Sequence, residues 1–545
     1  MIIHDLANMI HKGISHSAID NAAKWAQKYR VMGKPRPGNW TFDHHPWLWE
    51  MHTYGGEQMV GQKSAQMGFT ETAMNRTFYF IDILRESVLY VLPSERPDAV
   101  DFSASRFDPA LEMSEHLSGL FSDTKNLGLK RAGNACLYIR SARSRSQLKS
   151  LPAGNLFFDE RDEMSKEAIS LARERSSGQD HKTEFTLSTP TIPGYGVNED
   201  YEKSDQRHYI FKCPHCGRLT ELTYPDCIVI TADNHYDESI KDSYYQCKEC
   251  QTRLDHKAKP EWLGIENASW VPMNASRVAG FHINQMYSFT MKPWEFAVVA
   301  LKAKTSDEDE QEFVNSKLGL PHVVEGSKIN EEDFENCTGN YERARAVHDG
   351  NCFITMGVDV GKKINVEIDE FVIDDRINSN DISLKGLPRV LSEFELDEFE
   401  ELDELMQRYR VNCCVIDRQP EQRKAKEFCR RFEGVAWTCT YGNAVSGRDI
   451  TIHEDPGDMR VTVDRTSWLD LSLGRFKRKG IKLPVNISLQ YREQLMAPSR
   501  VYKKTNNGDY VGRYVETSAD HYAHARNYAE IAFRLGMSLL TNRTI

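Results

Sequence analysis

No run of about 18 apolar residues occurs anywhere in the chain, so the sequence predicts no membrane span. The opening stretch MIIHDLANMIHKGISHS has no basic segment followed by a sustained apolar run, and predicts no secretory signal. Internal repeats and low-complexity tracts are also lacking, which argues against a repeat array. Cysteine is sparse: 12 in 545 residues do not make a disulfide framework. Four of them form two tight pairs and the rest are scattered, which suits a reducing cytoplasm. There is no excess of positive charge either. The formal net charge is −11, so any nucleic-acid surface has to be a local basic patch on an acidic body.

What remains is an ordinary globular composition, 40% hydrophobic and 27% charged, with a mean hydropathy of −0.57. The length predicts two to four domains with large cores. Strand and helix signals alternate early, as in a parallel α/β sheet. ESVLYVLPSE (86–95), NACLYIRSA (134–142), GNLFFDE (154–160) and EFTLSTPT (184–191) read as strands, and TETAMNRTFYFIDIL (70–84) as a helix between them. A second α/β run begins at NCFITMGVDVG (351–361) and continues through VNCCVIDRQ (411–419) and VAWTCTYG (435–442). It closes with the helix DHYAHARNYAEIAFRLG (520–536). The boundary falls near 325–350, where the chain is polar and weakly periodic. KTSDEDEQEF (304–313) and ELDEFEELDEL (395–405) read as solvated helix faces.

The stretch GQKSAQMGFTET has the outline of a phosphate-binding loop, G-x-x-x-x-G-K-[ST], without its lysine. Gly68 and Thr70 stand at the expected places, with Phe69 between them. Backbone N–H groups at a helix N-terminus bind anions without side chains. The loop Lys63, Ser64, Ala65, Gln66, Met67, Gly68, Phe69, Thr70 is therefore a candidate ATP cradle, with Thr70 placed for Mg²⁺ and Lys63 supplying the missing cation from the loop's other end. NLFFDE then presents Asp159 for the Mg²⁺ shell and Glu160 to orient or deprotonate the attacking water. In isolation it also fits a buried strand reaching a charged turn. Ser188 and Thr189 lie at a further strand end, where hydroxyls can sense a γ-phosphate. Arg140, Arg143, Arg145 and Lys149 form a basic run that fits an arginine finger, a DNA contact or a solvated loop.

CPHC (213–216) and CKEC (247–250) are two C-x-x-C knuckles separated by the 30 residues from 217 to 246. Cys213, Cys216, Cys247 and Cys250 predict a tetrahedral structural Zn²⁺ site in a small ribbon, with His215 and His256 as substitute ligands.

Taken together, QKSAQMGFTETAMNRTFYFID, PSERPDAVDFSASRFDPAL, NLFFDE and STPT resemble the large terminase subunit of tailed bacteriophages, in its lambda-type branch. ASWVPMNASRVAGFHINQMYS (268–288) and FVNSKLGLP (313–321) fit the same pattern. Many relatives carry Lys where this chain has Phe69, and some of the branch place a lysine at the loop's start instead.

The resemblance implies an ATP-driven motor in the host cytoplasm that cuts concatemeric viral DNA and pumps it into a procapsid. Its implied partners are double-stranded viral DNA, a small terminase subunit, the portal protein and further copies in a ring. The implied architecture is a P-loop (ASCE-type) ATPase domain with a zinc ribbon insertion, followed by an RNase H-like nuclease domain. The corresponding layout is an N-terminal segment 1–35 for the small subunit, an ATPase core 36–210, the ribbon 211–258, an ATPase completion and linker 259–345, and the nuclease 346–545.

Asp359 on one strand, Asp417 at the end of another and Asp520 at a helix start suit such a nuclease, where two Mg²⁺ or Mn²⁺ ions activate water and stabilise the leaving oxygen. Relatives often place an acid four residues after Asp520, where this chain has His524, and Glu367 is an additional candidate ligand. Two other classes compete: a DNA-binding assembly protein with a degenerate ATP site, and a zinc-containing transposase-like strand-transferase.

Overall fold

The computed structural model describes residues 19–122, 124–149, 151–324, 326–344, 353–373, 386–442, 447–455, 457–504 and 510–542. Most of the expected N-terminal contact segment, residues 1–18, lies outside them. The chain divides into two compact units, 1–322 and 323–545.

The first unit is built on an 11-stranded sheet. Seven of its strands position the site: β1 (Gln58–Lys63), β2 (Val88–Leu92), β3 (Ala135–Ser141), β4 (Asn155–Asp159), β5 (Thr183–Ser188), β6 (Arg207–Lys212) and β7 (Ala279–Ile283). They run parallel in the order β6-β7-β1-β5-β4-β2-β3. One strand, β5, thus separates the loop strand β1 from the acidic strand β4. All five residues of β4 are buried, as a strand covered on both faces requires.

Helix α1 (Phe69–Tyr79) follows the loop. Its Phe69 and Phe78 are fully buried in one core with Phe157 and Phe185 from the sheet. Between β6 and residue 259, three short strands at 228–229, 244–246 and 253–254 pair into a separate small sheet, the frame of the ribbon.

The second unit begins with α2 (Glu331–Cys337), whose Phe334 and Cys337 share a core with Phe476 and Tyr491. Residues 326–344 therefore pack with the second unit, although the polar character of this stretch reads as a linker. The sheet has seven strands: β8 (Phe353–Val360), β9 (Ile364–Ile373), β10 (Gly386–Leu396), β11 (Cys413–Asp417), β12 (Ala436–Tyr441), β13 (Ile450–Asp455) and β14 (Asp458–Val463), in the order β10-β9-β8-β11-β12-β14-β13. The centre, β8-β11-β12-β14, is parallel and the flanks are antiparallel.

Strand alternation fills both faces: Val358 and Ile416 enter one core, Val415 and Trp437 another. Helix α3 (Arg465–Lys477) is capped by the Asp464 carboxylate, which accepts the Ser467 N–H. Helix α4 (His521–Asn542) crosses the sheet so closely that a β-carbon at Gly357 would sit 2.0 Å from the Ala525 carbonyl oxygen. Glycine alone admits that approach.

Candidate functional site

The loop of the first unit leaves β1 at Lys63 and enters α1 at Phe69. Gln66 (φ 61°) and Gly68 (φ 84°) are left-handed, so successive peptide planes turn in alternate directions, as in an anion-binding nest. The Phe69 ring points away from the loop into the core, where a β-carbon at Gly61 would lie 2.6 Å from it. Position 69 offers the cradle a backbone N–H and no side-chain charge.

A cationic side chain stands at the loop's other end. Lys63 Nζ lies 3.5 Å from Glu160 Oε1, with its side chain 9% exposed. Burial alone would lower the Lys63 pKa, but Glu160 and Asp159 outweigh it and hold the ammonium above its ordinary value. Asp159 accepts the Tyr90 hydroxyl at 2.7 Å and faces the Thr70 hydroxyl. Burial, with Glu160 adding to it, lifts its carboxyl to about 6 against the pull of Lys63. Glu160 sits half exposed in a left-handed turn. Thr70, Asp159 and Glu160 line a cleft of about 350 Å³ with Pro97, Asp98 and Arg106. The Ser64 hydroxyl is buried and has no partner among the described residues, a lone donor inside the loop.

Ser188 Oγ does not point freely. It donates to the Thr189 carbonyl and accepts the Asp162 N–H at 3.4 Å. The Asp162 carboxylate in turn accepts the backbone N–H groups of Thr191 (2.8 Å) and Val197 (2.7 Å). Asp162 thereby ties the end of the acidic strand to the loop after β5. In the basic run, Arg140 donates to the carbonyls of Gly128 and Ile139, while Arg143, Arg145 and Lys149 are exposed.

The sulfur atoms of Cys213, Cys216, Cys247 and Cys250 all lie within 4.8 Å of one another. That donor set and spacing match a closed thiolate shell. His215 instead hydrogen-bonds the Arg253 carbonyl, and neither it nor His256 belongs to the thiol group.

In the second unit the register pairs Val358 with Ile416 on adjacent parallel strands, whose backbones run about 5 Å apart, so Asp359 and Asp417 are the next residues of neighbouring strands. Asp417 is raised to about 6, by burial first and by Asp359 second, against the Gln419 N–H. Helix α4 contributes from above. His521 Nδ1 lies 2.8 Å from Asp359 Oδ2, and His524 Nε2 lies 3.3 Å from Asp520 Oδ2. Burial alone would raise Asp520, but His524 and Arg465 outweigh it and hold the carboxyl below its ordinary value. Arg465 is 3.9 Å from both Asp520 and Glu516. Unlike the thiols, the three aspartates do not close within 4.8 Å of one another.

Glu367 lies elsewhere, fully buried with Asp369 and Glu530 around the Arg526 guanidinium and hydrogen-bonded by Tyr491. His521, Arg465 and Tyr90 are the participants that sequence reasoning missed. Only His521, adjacent to Asp520, carries any local signal.

A nucleotide-type loop facing an acidic strand, followed by a mixed sheet with paired aspartates, defines a two-part enzyme with an ATPase unit and a metal-dependent nuclease unit. The model for the phage terminase large subunit gpA ATPase domain matches residues 34–270, and that for the terminase large subunit gpA endonuclease domain matches residues 278–537. The chain belongs to the gpA family of phage terminase large subunits, the ATPase and endonuclease of the DNA-packaging motor.

Among solved structures it is similar to the HK97 bacteriophage large terminase: 11% identity, 94% of this chain and 98% of that one, TM-score 0.49. It is also similar to the large terminase of a thermophilic bacteriophage, at 10% identity, 90% and 98% coverage and TM-score 0.31. The large terminase nuclease from thermophilic phage G20c matches at 11% identity over 36% of this chain and 94% of that one, TM-score 0.24. The assignment rests on the two domain models and not on these scores. No curated protein matches the chain.

Proposed function

We propose that ATP binds the Lys63–Thr70 loop, with Lys63 as the phosphate cation, Thr70 and Asp159 holding the divalent metal, Glu160 orienting water, and Ser188 and Thr189 reporting the γ-phosphate. The supporting observation is that Lys63 reaches Glu160 and Asp159 from the opposite end of the loop, while Phe69 is committed to the core.

Asp359 and Asp417 are the pair that hold divalent cations in the nuclease, Mg²⁺ or Mn²⁺, with Asp520 or His524 completing the set. When bound, these ions activate water and stabilise the leaving oxygen. Two neighbouring carboxylates, Asp359 buried and Asp417 half-buried, repel until a cation neutralises them, and the elevated Asp417 fits its partial burial first and that repulsion after it. His521 lies against Asp359 and Arg465 near Asp520, and both offset part of the negative charge. The four thiols hold a structural Zn²⁺. We also infer a place in the host cytoplasm, in a ring that engages double-stranded viral DNA, a small terminase subunit and the portal, with the layout 1–35, 36–210, 211–258, 259–345 and 346–545.

A structure with a non-hydrolysable ATP analogue and Mg²⁺ tests the nucleotide reading. Lys63 Nζ is expected to leave Glu160 for a phosphate oxygen. Phosphates bound with Lys63 still on Glu160 would reject its role.

A further inference from the structure

In a trans peptide the carbonyl of one residue and the N–H of the next point in opposite directions. A donor that holds a loop carbonyl outward therefore aims the following N–H inward. Two carbonyls of the nucleotide loop are held in this way. The Trp47 indole donates to the Met67 carbonyl at 2.8 Å, which aims the Gly68 N–H. The Gln285 amide donates to the Ala65 carbonyl at 2.7 Å, which aims the Gln66 N–H. Gln285 is 4% exposed, and its Oε1 has no partner among the described residues. A buried, half-satisfied amide is destabilising by itself, so its donor is the functional half.

Gln285 opens a short turn directly after β7, whose Ile283 pairs with Lys63 and accepts the Ser64 N–H at 3.1 Å. That turn is clamped from the thiol ribbon at Leu222 and from the flanking residues Tyr209 and Lys259. Asn284 donates to the Leu222 carbonyl (2.7 Å), and Leu222 N–H donates to the Tyr287 hydroxyl (2.9 Å). The same hydroxyl donates to the Tyr209 carbonyl (2.6 Å), and Lys259 Nζ donates to the Ser288 carbonyl (2.7 Å).

We propose that Gln285 is a positioning residue of the nucleotide loop, a strut that transmits the fixed geometry of the ribbon to the peptide plane between Ala65 and Gln66. It sets nucleotide affinity and takes no part in bond breaking. This rests on the nucleotide site proposed above.

The test is Gln285→Met, which keeps length and packing and removes only the amide, read with mant-ATP and Mg²⁺ alongside steady-state hydrolysis by the full chain. The Kd and KM for nucleotide should rise roughly tenfold, the worth of one buried hydrogen bond. kcat should stay within about twofold, because the loop is misaimed only in binding, and the unfolding midpoint should fall by no more than the loss of that one hydrogen bond. Tyr287→Phe, which loosens the clamp from the ribbon side, should raise KM in the same direction. Wild-type protein that binds no mant-ATP would remove the nucleotide site itself. Wild-type binding matched by Gln285→Met would remove only the strut. A fall in kcat and midpoint at constant KM would reduce Gln285 to a packing residue and likewise overturn the proposal.

Discussion

The two sites proposed for this chain would solve the same problem, the handling of phosphate charge, with different materials. The first unit uses backbone: a loop of N–H groups, one lysine, and a carboxylate pair at a strand end. The second would use side chains: Asp359 and Asp417 on neighbouring strands and Asp520 just before a helix, with His521 against Asp359 and with His524 and Arg465 against Asp520. A backbone cradle tolerates a change of side chain, which is why Phe69 can leave the loop for the core. A carboxylate cluster tolerates none, because its position is fixed by strand register and its charge by a single group. Substitutions at the second site should therefore be all-or-none, and those at the first graded.

The largest effect is expected at the aspartates. Asp359→Ala or Asp417→Ala should reduce DNA cleavage by roughly 10³-fold or more, since each removes a cation ligand that has no substitute. ATP hydrolysis should stay within about twofold, because that chemistry belongs to the first unit. Gel assays of cleavage beside phosphate release would expose any loss shared by both activities, which would end the separation of the sites. Lys63→Ala should lower ATP hydrolysis on the order of 10²–10³-fold, the usual result of deleting one preorganised charge. Cleavage assayed without ATP should persist.

How much of this was legible in the sequence follows the same division. As candidates, Asp359 and Asp417 stood out as acids on apolar strands, Asp520 as an acid at a helix start, and the thiols by their spacing. Glycine and threonine outlined the loop. What the sequence could not express was direction. Lys63 and Glu160 are 97 positions apart and meet only because a single strand, β5, lies between β1 and β4 in the sheet. Glu367 alternates correctly on its strand and even shares a face with Asp359, yet helix α4 covers that level of the sheet and Arg526 claims the carboxylate. His521 and Arg465 were missed because a cation that neutralises an acid cluster leaves no periodic trace. Residues 326–344 read as a linker, since a polar stretch can still pin two buried side chains, Phe334 and Cys337.

Phe69→Lys puts the comparison under direct strain. If the loop were merely a damaged version of the common pattern, restoring lysine should improve turnover. The position is fully buried against Gly61 and Phe185, so the variant should instead lose roughly 3 kcal/mol or more of stability in denaturant melts. A gain in ATP hydrolysis with an unchanged melt would show that the ring is dispensable. Cys213→Ser should cost about 2 kcal/mol or more through loss of a metal-closed ribbon, with zinc content falling in parallel by elemental analysis. Native protein expressed with ample zinc and containing none would remove the metal from the account.

The smallest effect belongs to Asp162, and it separates burial from charge pairing within the first unit. Its carboxyl is lifted to about 7 by burial, which outweighs the N–H groups of Val197 and Thr191 and the nearby Arg161. A raised carboxyl pKa means that the folded state holds a proton which the unfolded chain has already released near the ordinary carboxyl value of 3.8. The folded state therefore binds more protons between about pH 4 and pH 7, and stability falls as pH rises through that window. Asp162→Asn abolishes the titration. The advantage of wild type over the variant should be greatest near pH 4 and shrink by at most a few kcal/mol on the way to pH 7. Urea melts of the two proteins at stepped pH measure it. An advantage that grew with pH would mean that the two N–H donors and Arg161 dominate, placing Asp162 as a permanently charged anchor of the loop after β5.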